Sequence, residues 1–99
     1  MTPIEHKLES LPAKDLEDYS VASPATIAIR RLTLFHPEAS SRGIKRLQAF
    51  IEVQEDGFLL VMENSVEHFP HGEQGWESAT LAAIRDICEL HGLDPDPSN

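Results

Sequence analysis

The stretch from Leu47 to Met62 constrains the fold most. It reads Leu47-Gln48-Ala49-Phe50-Ile51-Glu52-Val53-Gln54-Glu55, then Asp56-Gly57, then Phe58-Leu59-Leu60-Val61-Met62. An Asp-Gly step between two apolar runs is a strong β-hairpin signal. A two-residue primed turn needs positive φ at both central positions, which glycine adopts freely and aspartate tolerates. With Asp56-Gly57 as that turn, counting outward pairs Glu55 with Phe58, Val53 with Leu60 and Ile51 with Met62. Strand side chains alternate sides. Leu47, Ala49, Ile51, Val53, Phe58, Leu60 and Met62 therefore share one face, expected to be buried. Phe50, Glu52, Gln54, Leu59 and Val61 share the other, which is mixed in character. That face is either an ordinary outer surface, since much protein surface is apolar, or a patch through which Phe50, Leu59 and Val61 meet a partner or a second copy. A lone hairpin is marginal in water, so other elements must cover its apolar side.

The rest of the chain supplies those elements. Thr2-Pro3-Ile4-Glu5 has the form of a helix start, with a capping threonine, proline in the first turn and glutamate at the capping-box position. Ile4, Leu8 and Leu11 follow at helical spacing, and beyond Pro12 an apolar edge continues through Leu16 and Tyr19. Val21-Ala22-Ser23-Pro24 is a connection. Ala25 to Phe35 is rich in β-branched and alternating apolar residues and reads as a strand, with a helix opened by Ser23-Pro24 as the rival. Ile27 and Ile29 keep one phase and Leu32 and Leu34 the other, which suggests a bulge at Arg30-Arg31. His36 to Gly43 reads as a loop. After Met62 a polar run leads into His68-Phe69-Pro70-His71-Gly72-Glu73-Gln74-Gly75, a loop by its glycine and proline content. A helix is expected from about Trp76 to His91, with Leu81, Ile84, Ile87 and Cys88 on its apolar face and Ala79, Ala83 and Leu90 widening it. Its stop is marked by Gly92, Leu93 and Pro95.

The expected fold is α+β: a three-stranded antiparallel sheet, a meander containing the Asp-Gly hairpin, with N-terminal and C-terminal helices packed on one face in the order α-β-β-β-α. Residues 1–93 form one small domain and residues 94–99 a disordered tail. The order resembles that of the double-stranded-RNA-binding domain. Where that family presents lysines at the start of its last helix, this chain has Glu73-Gln74-Gly75-Trp76-Glu77-Ser78.

Charge narrows the function. Seventeen acidic residues against eight basic ones give a formal charge of −9. Phosphate binding rests on lysine and arginine, so free nucleic acid is not the expected ligand. Beyond Lys45-Arg46 the only basic residue is Arg85, against Glu52, Glu55, Asp56, Glu63, Glu67, Glu73, Glu77, Asp86, Glu89, Asp94 and Asp96. No apolar run approaches the ~20 residues of a membrane span. The first residues lack the layout of a signal peptide, and the single cysteine, Cys88, excludes an internal disulfide. A cytoplasmic setting follows as the expectation.

Two constellations carry candidate chemistry. His68-x-x-His71 and Cys88-x-x-His91 supply four zinc-competent side chains in two pairs. Cys88 also fits the apolar stripe of the last helix, where a free cysteine packs as a small hydrophobe. No nucleophile lies beside a visible base, and no phosphate-binding glycine loop is present. The second constellation is an acidic face of Glu63, Glu67, Glu73, Glu77, Asp86 and Glu89, with Trp76 as an aromatic anchor or a core residue beside the helix.

Glu55-Asp56-Gly57-Phe58, then Phe69-Pro70, Gly72 and an alanine-rich helix, resembles the HicB-type antitoxin pattern over roughly residues 50 to 90. That resemblance implies a small α+β module that binds a toxin. The family's acidic pair with alanine at the helix start is replaced here by Glu77-Ser78-Ala79. The residues themselves point to a non-enzymatic module without a cofactor. It would bind a protein partner with a basic surface, and would inhibit or regulate that partner if the surface binds nucleic acid. A zinc-stabilised domain and a homodimer through Phe50, Leu59 and Val61 are the alternatives.

Overall fold

The computed structural model describes residues 5–11, 25–44, 46–63 and 65–94. The chain runs β1 (Glu5–Ser10), β2 (Thr26–Phe35), α1 (Pro37–Ser41), β3 (Gln48–Gln54), β4 (Gly57–Val61), β5 (Val66–Pro70) and α2 (Glu73–His91). The strands form one five-stranded antiparallel sheet in the order β1-β2-β3-β4-β5. The class is α+β, but the expected three-stranded sheet flanked by N- and C-terminal helices is not what forms.

Both additional strands are edges. Glu5–Ser10, expected as part of a helix, pairs with β2 along its whole length, Leu8 opposite Leu32. A short polar helix is marginal on its own, whereas an edge strand gains a ladder of backbone bonds and tolerates charge on its open side. Val66–Pro70, expected as a polar run and loop, pairs with β4 from Val61↔Val66 to Gly57↔Pro70. Proline is tolerated there because an edge strand need not donate on its outer side. Thr2 to Ile4, Leu16 and Tyr19, the connection at residues 21–24, and residues 95–99 of the tail expected at 94–99 lie outside the described residues, whereas Asp94 is described and its carbonyl oxygen bonds to His36.

The hairpin is present with a displaced register. Val53 pairs with Phe58, Ile51 with Leu60 and Phe50 with Val61, and Gln54↔Gly57 closes the ladder. The turn is therefore Glu55-Asp56. Gly57 opens β4 and is not among the positive-φ glycines. Its lack of a side chain serves a different purpose: a Cβ there would fall 2.3 Å from the Phe69 carbonyl oxygen on β5. A shift of two residues preserves strand parity, whereas a shift of one would reverse every side chain. Leu47, Ala49, Ile51 and Leu60 are accordingly buried, with Phe58 and Met62 packed against them.

α2 covers this face. Its contact line is Ala79, Ala82, Ala83, Ile87 and Cys88, with Ile84 packed against the core; of the expected stripe only Leu81 and Leu90 are exposed instead. Small residues let the helix sit close to the sheet. At its first turn the approach is so close that a Cβ on Gly75 would lie 1.8 Å from the Pro70 carbonyl oxygen. The helix ends at Gly92, left-handed at φ 66°, and Leu93 folds back into the core.

In β2 the change of apolar phase has a simple cause. Leu32 and Leu34 join the core under α2, while Ile29, opposite Glu52, is buried on the other side of the sheet. No irregularity occurs at Arg30-Arg31; the register shifts between Thr26 and Ala28, and Ile27 is left exposed. Glu52 is fully buried on that second face and accepts a hydrogen bond from the Thr26 hydroxyl. α1, expected as loop, starts at Pro37 with His36 as its cap. Among the described residues no helix is long and apolar enough to cross a membrane.

Candidate functional site: a carboxylate cavity beside the last helix

Four of the six acidic residues singled out from the sequence converge in space. Glu63, Glu67, Asp86 and Glu89, with Met62, Ser65 and Leu90, line a cavity of about 390 Å³. Three elements place them. Glu63 lies in the turn after β4, where the Met62 N–H donates to the Ser65 carbonyl at 2.9 Å. Glu67 pairs with Leu60 across β4 and β5, and so stands on the face that α2 covers. Asp86 and Glu89, three apart on α2, share one side of the helix.

Among the described residues no lysine or arginine lines this cavity. Arg85 approaches Asp86 at 3.8 Å, but its own side chain is 59 % exposed and outside the lining. Like charges gathered in a concave site with low-dielectric walls focus negative potential outward. An ammonium or guanidinium group entering there meets carboxylate acceptors. Met62 and Leu90 add apolar surface that can receive the stem of a lysine or arginine side chain.

The remaining predicted residues are elsewhere. Glu73, Trp76 and Glu77 lie on the first half of α2 and line a separate groove of about 360 Å³ with His6 and Leu8 of β1. The acidic face expected as one surface is thus two, with no lining residue in common among the described residues. Trp76 is half-buried and meets Phe58 edge-on, ring centroids 5.1 Å apart at 62°. It belongs to the core margin and to the groove wall together. A helical expectation for Glu5–Ser10 does not bring His6 and Leu8 beside α2; their place in an edge strand does.

Phe50, Leu59 and Val61 do stand together on the outer sheet face, with Phe50 directly opposite Val61. Each is half-buried. Val66, opposite Val61, extends the patch and is exposed.

The four metal-competent residues are not gathered. Cys88 is fully buried beneath α2, whereas His68 pairs with Leu59 and so lies on the opposite side of the sheet. His71 is exposed beyond β5, and His91 is the last residue of α2. Among the described residues no group of three or more His, Cys, Asp or Glu side chains is placed to hold a metal ion. Burial pushes the Cys88 thiol above its ordinary value, and the Asp94 carboxylate acts in the same direction.

Compared with known proteins, the chain matches no family model, no curated protein and no solved structure.

Proposed function

We propose that this chain is a non-enzymatic, acidic protein-binding module that seats lysine or arginine side chains of a partner in the carboxylate cavity. The observation that carries the reading is the convergence of Glu63, Glu67, Asp86 and Glu89 on one concavity that, among the described residues, has no lining lysine or arginine. A cavity of this kind favours encounter with a basic surface and discriminates against acidic ones. Where that basic surface is the one its owner uses for nucleic acid, the module acts as an inhibitor or regulator, because its carboxylates occupy the side chains that would hold phosphates. A cytoplasmic location suits the reduced, buried thiol of Cys88.

The test is comparative capture from the native host, wild type against the triple variant E63K/E67K/E89K. All three positions are at least partly exposed, so the fold should tolerate the change. The expected result is loss of a discrete set of basic proteins from the variant's bound fraction, with the melting temperature nearly unchanged. Retention of the same partners by the variant contradicts the proposal.

A further inference from the structure

Four spacings of about 4.8 Å make a five-stranded sheet roughly 19 Å across, whereas one helix with its side chains is only about 10–12 Å wide. α2 packs across β2 to β5 and leaves β1 at the open margin of the same face. There Leu8, on the helix-facing side of β1, is 36 % exposed. Across from it, Trp76, Leu81 and Ile84 of α2 form an apolar wall, with Leu81 60 % exposed. Glu73 and Glu77 stand on the rim. Among the described residues His6 is the only lining side chain able to carry positive charge.

We infer that this groove receives one amphipathic helix of a protein partner, its apolar side against Leu8, Trp76, Leu81 and Ile84 and its lysines or arginines against Glu73 and Glu77. The inference deepens the function proposed above and takes from it the partner's basic character. Size selects a helix. From Glu73 to Ile84 the groove runs about 17 Å along α2, enough for roughly three helical turns. Among the described residues nothing covers the groove beside α2, where Leu8 and Leu81 are exposed, and a second helix laid there would extend the layer. Charge selects the partner. An incoming basic helix neutralises the rim, while a second copy of this chain in a two-fold arrangement would set Glu73 and Glu77 against their own counterparts.

Trp76 is the only tryptophan and lines the groove, so its emission reports occupancy directly. The full chain would be titrated with a synthetic helical peptide carrying leucine at i, i+4 and i+7 and lysine elsewhere, and with its glutamate counterpart. Two variants accompany it. L81D changes an exposed position and E73K/E77K reverses the rim; melting curves establish that both are folded. The expected result is a shift of Trp76 emission with the lysine peptide and none with the glutamate peptide. Affinity should fall at least about tenfold in L81D, the loss of one good apolar anchor, and the peptide preference should invert in E73K/E77K. Equal binding of both peptides, unchanged affinity in L81D, or a silent Trp76 overturns the inference. So does concentration-dependent emission without peptide accompanied by a dimer in sedimentation, which assigns the groove to a second copy. E63K/E67K/E89K, which fails the function proposed above if it keeps its partners, leaves the groove intact, so the two outcomes are distinguishable.

Discussion

His36 donates a hydrogen bond from Nε2 to the carbonyl oxygen of Asp94 at 2.7 Å. Its other ring nitrogen, Nδ1, accepts the backbone N–H of Glu38 at 3.0 Å. A carbonyl only accepts and an amide N–H only donates, so the ring is the neutral tautomer with its proton on Nε2. One buried imidazole thus caps α1 and ties down the segment beyond α2. Arg42 adds a second tie, donating from Nη1 to the Gly92 carbonyl at 3.0 Å. These contacts fix the end of α2 that carries Glu89 and Leu90 into the carboxylate cavity.

His36→Ala removes both bonds from a site only 4 % exposed. It should cost about 1–3 kcal/mol, the usual penalty for leaving buried polar groups without partners. His36→Asn, which retains a capping acceptor but not the reach to Asp94, should cost less. Urea unfolding measures the first effect. Faster amide exchange at Gly92 and Leu93 in both variants would locate the second.

Gly57 and Gly75 are predicted to be intolerant of alanine, for reasons unconnected with turn geometry. The added Cβ would meet β5 backbone in each case, Phe69 at 2.3 Å and Pro70 at 1.8 Å. Backbone in a paired strand cannot give way as a side chain can. Each variant should lose more than about 2 kcal/mol, at the upper end of overpacking penalties. An alanine at either position with wild-type stability would mean that α2 and β4 do not approach β5 this closely.

Cys88 gives a pH signature. Its thiol is held above the ordinary value of 9.0, first by burial and then by Asp94. The folded chain therefore keeps the proton where the unfolded chain has released it. That contribution is fully present below about pH 9 and is lost as pH rises through the folded value. Stability of the wild type should fall more steeply between pH 8.5 and pH 10 than that of Cys88→Ala, with both read by denaturant midpoint. Native protein should also resist alkylation until it unfolds.

The parts of this fold legible in the sequence are those where burial dictates residue type. The inward side of the hairpin is set by alternation, and a two-residue error in register left it intact because Ile51 and Leu60 keep their parity. Gly92 and Leu93 stop α2 where the chain says they should. Edges are different. Glu5–Ser10 and Val66–Pro70 carry charge, histidine and proline because an edge strand has one side in water. Local pattern cannot distinguish such strands from a polar helix or a loop. The alanine line of α2 is legible only in part for a related reason: close packing selects small residues, whereas the bulky Leu81 and Leu90 face outward. Net charge showed which acidic residues to consider. The folded arrangement shows that Glu63, Glu67, Asp86 and Glu89 meet in one cavity and that Glu73 and Glu77 line another surface.

The carboxylate cavity is tested most directly by the salt dependence of binding to a captured basic partner. Dissociation constants would be measured from low to high sodium chloride for the wild type and for E63K/E67K/E89K. If these carboxylates hold the partner's cations, wild-type affinity falls steadily with salt, as expected for screened ion pairs, and the variant binds weakly with little remaining slope. Equal affinity and equal slope in the two proteins would show that the partner binds elsewhere.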